Sequence, residues 1–377
     1  MKAFLSVVKK LFKQLDKVLL FLAICASAIS CACMYSFYKN EVVSSRVFLI
    51  QVLAVVIGII AACVISQLDY KILARLWKFH LPATLALTLL TFTPLGAGNE
   101  VTGGSDDKAW INLGFTTLQP SELLKLSFIF TFALHLSKVG TDINKPKNFL
   151  LLCLHGALPV GIIVLQKDLG SALVFVAIFI IMMFAGGLSA KLITVGILGG
   201  IAAAPFVWNY LLPPYLQQRF IVAWHPEIDK LNIGNQQYNG RIAIGSGGLN
   251  GRGLFSEKLF KVDEAYNDFI FSYIGQTLGF IGTVAVIVII VLICVKMLLT
   301  AKNAKDKLGV YICTGVFAIF MSQSLINIGM VLCALPVVGI TLPLFSSGGT
   351  SVVVSYMAIG MVMSVYKENK REEEMFS

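Results

Sequence analysis

No charged side chain interrupts residues 278–295, which read LGFIGTVAVIVIIVLICV. A helix of about 20 apolar residues is long enough to cross the hydrocarbon layer of a bilayer, so this stretch predicts a membrane-spanning helix. Comparable runs recur along nearly the whole chain of 377 residues, of which 57% are hydrophobic and 13% charged. Soluble domains carry roughly 25% charged residues. The composition therefore excludes a soluble enzyme and predicts an all-α polytopic membrane protein, with a single integral membrane domain over 1–377.

Ten apolar runs are long enough to be predicted as transmembrane helices. Two of the breaks between them are short, since 166–169 alone separates the fifth run from the sixth and 186–189 the sixth from the seventh. Loss of either break would invert the orientation of all later helices. The stretch 212–267, between helices 7 and 8, is too polar and too rich in glycine to span, and is predicted to be a long extracytoplasmic loop. The ten runs lie near 18–38, 47–66, 80–95, 119–138, 149–165, 170–187, 190–212, 268–299, 309–333 and 345–366.

The distribution of the 30 Lys and Arg residues predicts the orientation, because basic residues in short loops mark the cytoplasmic side. With the N-terminus inside, the short outer loops hold only Lys39, Arg46, Lys108 and Lys167. Both termini are therefore predicted to be cytoplasmic, including a tail over 367–377. The net charge of +10 comes from short loop clusters without a basic stripe, so membrane lipids are expected as neighbours and nucleic acid is not.

The cysteines and histidines predict no metal centre. The eight cysteines lie mostly inside apolar runs and show no CxxC spacing, as expected of small hydrophobic side chains. The four histidines have no partner at ligand spacing in the sequence, and each is expected to be structural. They are His80, His135, His155 and His225.

Two opposite charges lie inside the fourth predicted helix, where an ionisable residue is costly and calls for a reason. Glu122 and Lys125 are three residues apart and share one helix face. One interpretation is a structural ion pair that fixes helix packing. The other is a substrate contact, because Lys125 would lie about 9 Å below the outer edge, within reach of a lipid phosphate. Gln119 and Ser121 suit the first turn of this helix and are further candidates for substrate binding.

The predicted outer loop contains two cations that could meet a phosphate, Arg219 and Arg241. It also contains a glycine-rich run over 245–253, which includes Ser246. These glycines lack the spacing of a nucleotide-binding cradle, and no predicted strand precedes them. Two interpretations stay open for the run: a flexible loop in which the backbone approaches a substrate, or a plain surface turn.

Asp168 and Asp268 each lie at the outer start of a predicted helix. For each, one interpretation is a helix cap, since the helix dipole stabilises a carboxylate at a helix N-terminus. The predicted orientation, however, puts both on the same side of the membrane as the ion pair and the loop arginines. The last outer loop, 333–343, carries no charge and leads into a stretch that includes Ser346. Together with Ser246 and Asp168, Ser346 is a further candidate for substrate binding. Cations for a phosphate and carboxylates for proton transfer suit a lipid-phosphate substrate.

Five ordered motifs resemble those of one family. They are WI at 110–111 with QPSELLK at 119–125, QKDLG at 166–170, IAIGSGGL at 242–249, NDFIF at 267–271 with LGFIG at 278–282, and PLFSSGG at 343–349. From Trp110 to the last helix, the chain resembles the SEDS family of cell-wall polymerases, which comprises the RodA, FtsW and SpoVE proteins. Its length and short tails resemble the RodA branch more than the FtsW branch. Its departures from the family pattern are Ala109, Lys167, Asn267, Gln276 and Thr277.

The resemblance implies a bacterial peptidoglycan glycosyltransferase that polymerises lipid II outside the cytoplasmic membrane, for cell elongation and shape. It implies a class B penicillin-binding protein, a transpeptidase, as the partner. The family's catalytic aspartate falls on Asp268, which would act as general base, and its membrane Glu and Lys fall on Glu122 and Lys125. A divalent cation, Mg²⁺ or Mn²⁺, held by Asp168 or Asp268 is expected to neutralise the diphosphate. No organic cofactor is expected.

Three alternatives accompany this interpretation. A lipid II flippase or another transporter also fits ten helices with intramembrane charges, but predicts polar residues along a path to the inner face. A non-catalytic scaffold predicts no need for Glu122, Lys125 or Asp268. Within the family, an FtsW-like polymerase for cell division is the remaining alternative.

Overall fold

The structure, a computed structural model, describes residues 14–96, 108–114 and 117–376. This part of the chain is mostly helical, and it contains one two-stranded antiparallel hairpin, β1 (Ile111–Asn112) with β2 (Thr117–Leu118). The α-helices are α1 (Lys17–Lys39), α2 (Ser45–Gln67), α3 (Tyr70–Arg75), α4 (Trp77–Leu90), α5 (Pro120–Val139), α6 (Pro146–Leu165), α7 (Leu169–Ala185), α8 (Ala190–Phe206), α9 (Pro214–Trp224), α10 (Asn235–Gly247), α11 (Ile270–Lys302), α12 (Lys307–Val331) and α13 (Gly349–Phe376).

The predicted fold class is confirmed, since each of the ten predicted spans forms a helix and both short breaks are present. Among the described residues, eight helices are long and apolar enough to cross a membrane. The other two predicted spans, α4 and α7, have only 14 and 17 residues. α4 also ends at Leu90 rather than near 95, where the chain has already turned. These two helices are shorter than the ~20 residues that a straight crossing needs.

The helix boundaries follow from local sequence. Pro120 and Pro146 lie in the first turns of α5 and α6, where the missing N–H removes no hydrogen bond. Asp16, Ser189 and Asp306 cap α1, α8 and α12, because their side chains accept hydrogen bonds from backbone N–H groups of the first turn. The membrane helices therefore begin where short-range sequence signals place them.

The interior of the bundle lies among α2, α5, α12 and α13. α2 packs along α13, where Gly58 lies directly against the ring of Tyr356. α5 packs on α7 through Phe128 and Phe175, whose ring centroids are 5.7 Å apart. α8, in contrast, has no buried residue. Lipid is as apolar as these side chains, so their exposure on a membrane helix costs little.

The segment 212–267 contains two helices, α9 and α10, and residues 245–247 of its glycine-rich run belong to the end of α10. α10 packs on α11 so closely that a Cβ at Gly247 would overlap the carbonyl oxygen of Gly275. α11 kinks at Gly279, where φ is 68°, a conformation that favours glycine. At Gly247 the run therefore lets two backbones meet, while residues 248–250 form an exposed turn, as one of the two interpretations predicts. Hydropathy missed α9 and α10 because they are short and polar.

Four segments meet at one end of the bundle: the hairpin, the turn before α7, the segment before α11 and the loop 332–348. Three hydrogen bonds link these segments and the start of α13. They run from Lys108 N, just before the hairpin, to Gln166 O (2.9 Å), from Ser347 N to Tyr266 O (2.8 Å), and from Thr350 Oγ1 in α13 to Thr117 O (3.1 Å). The predicted outer residues are thus brought together by contacts between distant parts of the sequence.

Candidate functional site

Asp268 lies two residues before α11 and is half-buried. The loop 332–348 passes in front of its carboxylate, since a Cβ at Gly339 would lie 3.5 Å from Oδ2 of Asp268. The backbone carbonyl of Asp268 accepts a hydrogen bond of 2.8 Å from Nδ2 of Asn327 in α12. The carboxylate is therefore held between the start of α11 and this loop.

The helix-cap interpretation of Asp268 is wrong. Phe269 occupies the N-cap position of α11, and no side-chain hydrogen bond caps the helix there within the described ranges. The carboxylate of a residue that only capped the helix would accept hydrogen bonds from the backbone N–H groups of the first turn. The position of Asp268 therefore needs another explanation.

Its surroundings control the protonation of Asp268. Burial raises the pKa of this carboxyl to about 7, and the negative charges of Glu264 and Asp168 act in the same direction. A group whose pKa lies near the operating pH can both accept a proton in the reaction and release it afterwards. Asp268 thus has the protonation behaviour of a general base.

Asp168 has a structural role besides its charge. Its Oδ1 accepts a 2.9 Å hydrogen bond from the backbone N–H of Ser171, which caps α7. Its Oδ2 accepts a 3.0 Å hydrogen bond from Nε2 of Gln119, the residue before α5. The helix-cap interpretation is therefore confirmed for Asp168, and the same carboxylate places Gln119 at the site.

Glu122 and Lys125 form an ion pair in α5, with 2.8 Å between Nζ and Oε1. The side chain of Lys125 has no exposed surface, and that of Glu122 is 7% exposed. A lipid phosphate therefore cannot touch the ammonium group of Lys125 in this conformation. The structure shows the structural ion pair and not the expected contact with a phosphate. Depth along one helix does not reveal which other helices cover a side chain. Ser121 is buried as well, and its Oγ has no partner among the described residues.

The two loop arginines lie in different places. Arg219 in α9 is exposed, and its Nη1 donates to the carbonyl oxygen of Val337, in the loop that faces Asp268, at 3.2 Å. Arg241 in α10 lines a cavity of about 360 Å³, whose other lining residues are Glu227, Tyr238 and Ile242. Of the two, Arg219 is therefore the better candidate for a substrate contact near Asp268.

The two candidate serines form local hydrogen bonds. The hydroxyl of Ser246 donates to the carbonyl of Ala243 in its own helix at 2.7 Å. The hydroxyl of Ser346 is buried and accepts a 2.7 Å hydrogen bond from the backbone N–H of Leu342. Both side chains stabilise their own segments, and the structure does not support the expectation that they bind substrate.

Four buried amide side chains join the segments at this end of the bundle. A search of the sequence for charged residues does not find them. An amide inside an apolar membrane run is costly unless it is paired, so the reasoning applied to Glu122 and Lys125 could have found those in α2 and α12. The four residues are Gln51 in α2, Gln166 before α7, Gln237 in α10 and Asn327 in α12.

The described residues do not provide a complete ligand set for the expected cation. In the part that the structure describes, no three His, Cys, Asp or Glu side chains lie together as metal ligands. Asp168 already accepts a hydrogen bond on each carboxylate oxygen. A cation at this site would therefore need ligands from the substrate.

His135 and His155 contact each other in space, although neither has a partner at ligand spacing in the sequence. Their Nδ1 atoms lie 3.1 Å apart and join α5 to α6. Nε2 of His155 lies 3.2 Å from Oγ1 of Thr131. Spacing along the sequence could not reveal this contact, because the two residues lie on different helices.

Comparisons with known proteins agree with this arrangement. A family model described as "Cell cycle protein", FTSW_RODA_SPOVE, matches residues 13–371. The chain is 31% identical to the "Probable peptidoglycan glycosyltransferase FtsW" of Trichlorobacter lovleyi over 96% of each chain. It is 29% identical to the "Peptidoglycan glycosyltransferase MrdB" of Escherichia coli strain K12 over 84% of each chain.

A solved structure shares the fold. It is described as "Structural coordination of polymerization and crosslinking by a peptidoglycan synthase complex". The match has a TM-score of 0.80 and 26% identity, and it covers 94% of this chain and 98% of that chain. The similarity thus extends over nearly the whole chain.

Proposed function

Because the chain belongs to the FtsW, RodA and SpoVE family of cell cycle proteins, we propose that it polymerises lipid II into glycan strands at the outer face of the bacterial cytoplasmic membrane. Its enzyme class is that of its relatives, a peptidoglycan glycosyltransferase. The family that the five sequence motifs indicated is confirmed. The observation that carries the proposal is the carboxylate of Asp268, which does not cap its helix and has a pKa near neutrality.

In the proposed reaction, the hydroxyl at C4 of the acceptor GlcNAc attacks the anomeric carbon of the donor MurNAc. The carboxylate of Asp268 accepts the hydroxyl proton as the new C–O bond forms. The bond to undecaprenyl diphosphate breaks, and the anomeric configuration inverts from α to β. A well-placed general base contributes roughly 10²–10⁴ to such a rate.

The diphosphate leaving group needs positive charge. We assign this role to Arg219, because it is exposed and contacts the loop that faces Asp268. Lys125 is not available for it in this conformation. A divalent cation, Mg²⁺ or Mn²⁺, would enter with the diphosphate and use Asp168 as a protein ligand, since Mg²⁺ commonly binds one or two carboxylates together with substrate phosphates.

The partner and the cellular role are part of the proposal. A class B penicillin-binding protein fits as the partner, because a solved complex of similar fold is described as coordinating polymerisation with crosslinking. We propose elongation as the role, because the chain shares its fold with a solved structure described as "Rod shape determining protein RodA", with a TM-score of 0.69 and 25% identity. Cell division is the second candidate, favoured by 31% identity to a protein named FtsW over 96% of both chains. Stimulation of the purified protein by elongation-type or division-type transpeptidases separates the two roles.

The direct test uses the purified protein in vesicles that contain fluorescent lipid II, with and without the transpeptidase. We expect glycan strands, separated by length on a gel, and more of them when the partner is present. Movement of lipid II across the bilayer without strand formation would support the flippase alternative and refute the proposal. A protein that stimulates its partner but forms no strands with it would be a scaffold.

The rate of polymerisation should rise with pH and level off above about pH 7. Only the ionised carboxylate accepts a proton, and the pKa of Asp268 is raised to about 7, so activity is lost as the pH falls through that value. Glu264→Gln should shift this acidic limb to lower pH, because it removes a negative charge that raises the pKa of Asp268. Rates at saturating lipid II from pH 5 to 9 check both points. An acidic limb near pH 4 in the unmodified protein would contradict this environment for Asp268.

The orientation of the chain stays a prediction, and thiol labelling tests it. In a background without the eight natural cysteines, Lys230→Cys should react with an impermeant reagent on intact cells, and Lys305→Cys should not. Both side chains are exposed, so access to the reagent depends only on the side of the membrane. The reverse pattern would place Asp268 on the cytoplasmic side, where the proposed reaction cannot occur.

A further inference from the structure

Asn327 is a buried amide in α12 whose side chain bridges two distant segments. It has no exposed surface. Its Nδ2 donates one hydrogen bond of 2.8 Å to the backbone carbonyl of Asp268 and another of 2.6 Å to that of Ile340. Both acceptors are carbonyl oxygens, so only the amide nitrogen can occupy this position.

The two acceptors belong to the two segments that meet at the Asp268 carboxylate. One is the carbonyl of Asp268 itself, just before α11 begins. The other belongs to Ile340, the neighbour of Gly339, at which a Cβ would lie 3.5 Å from Oδ2 of Asp268. Gly339 has a φ of 69°, a left-handed conformation that sets the path of the loop at this point. A single amide group therefore ties the backbone of Asp268 itself to the part of the loop that faces its carboxylate.

Anchoring of the loop does not by itself explain this contact, because a second amide already anchors the loop. Nε2 of Gln237 in α10 donates to the carbonyls of Met330 and Leu335, at 2.8 and 2.9 Å. Gln237 makes no contact with Asp268 among its hydrogen bonds. The two amides are thus alike in burial and in the number of carbonyls they hold, and they differ in that only Asn327 holds the backbone of Asp268.

We propose that Asn327 is a positioning residue for glycosyl transfer. Its amide holds the backbone of Asp268 at the separation from the loop that places the carboxylate against the attacking sugar hydroxyl. Asn327 acts through Asp268 and touches no substrate. This inference rests on the proposed function, because it presumes that Asp268 accepts the proton.

The test compares Asn327→Leu with Gln237→Leu. Each substitution removes two hydrogen bonds and replaces an amide side chain with an apolar side chain of similar size. Displacement of a catalytic group by about 1 Å can cost about 10²-fold in rate. We therefore expect kcat of Asn327→Leu to fall by about 10²-fold, with KM for lipid II within about two-fold of normal. Gln237→Leu should retain most of its turnover. Equal losses in the two variants, or a change in KM alone, would overturn the proposal.

A double variant separates positioning from general loosening. In the Asp268→Asn background there is no carboxylate to position, so addition of Asn327→Leu should lower the residual rate by less than about two-fold. A further loss of about 10²-fold, the additive outcome, would show that Asn327 supports the fold independently of Asp268. Asn327→Ser serves as a milder variant for the same cycle if Asn327→Leu is not recovered folded.

The proposal and the function on which it rests fail in different ways. Near-normal polymerisation by Asp268→Asn would refute the general base and, with it, the positioning role. An inactive Asp268→Asn protein together with a fully active Asn327→Leu protein would refute the positioning role alone.

Discussion

Asp268→Asn should lower polymerisation of lipid II by about two to four orders of magnitude while the protein stays folded. Asparagine has the size of aspartate but lacks the basic lone pair that accepts the hydroxyl proton. Folding should survive, because the hydrogen bond from Asn327 goes to the backbone carbonyl of residue 268, which the substitution leaves in place. The rate of strand formation and the melting temperature, measured on one preparation, check both parts of this expectation.

Asp263→Asn is the matched control for this variant. It removes a carboxylate from the same segment, but the side chain is exposed and lies outside the site. We expect its turnover to stay near normal. If the Asp268→Asn protein were well folded and polymerised lipid II at a similar rate, the carboxylate would not be the base.

Lys125→Met should destabilise the protein by about 3–5 kcal/mol, because it leaves the carboxylate of Glu122 buried without its partner. The combined variant Glu122→Gln with Lys125→Met removes both charges and should recover most of that stability. Denaturation of the purified variants in detergent measures the difference. The large effect comes from the stranded charge rather than from the strength of the pair itself.

The pair Asp142–Lys145 is the matched control, since it has the same i,i+3 spacing and the same N–O distance of 2.8 Å but is exposed. Lys145→Met should change stability little, because surface ion pairs are screened by water. If the combined variant at Glu122 and Lys125 were stable but inactive, the pair would contact the substrate in another state. If it polymerised lipid II normally, the pair would be structural only.

Local properties of the sequence account for the helices and for the family. Length and apolarity of a run decide whether a helix can cross a bilayer, and caps such as Asp16 and Asp306 act within one turn. The motif that contains Asp268 is likewise contiguous. Such features depend on neighbours in the chain, so the ten helices and the candidate base could be predicted before the packing was known.

Other properties of the site were settled by tertiary packing. Asp168 and Asp268 look alike in sequence, yet only Asp168 caps its helix, while burial and nearby carboxylates raise the pKa of Asp268. Lys125 looked accessible from its depth, but neighbouring helices cover it completely. Burial and electrostatic environment are sums over groups that surround a side chain in space, and most of those groups come from distant parts of the chain.

The sequence by itself determined a polytopic membrane protein of one family with an aspartate at the start of a long helix. The tertiary structure alone decided that α10 meets α11 through glycine and that Asn327 joins Asp268 to the loop 332–348. The first set follows from hydrophobic length and contiguous motifs. The second follows from close contacts between segments far apart in the chain, whose energies arise only when the helices pack.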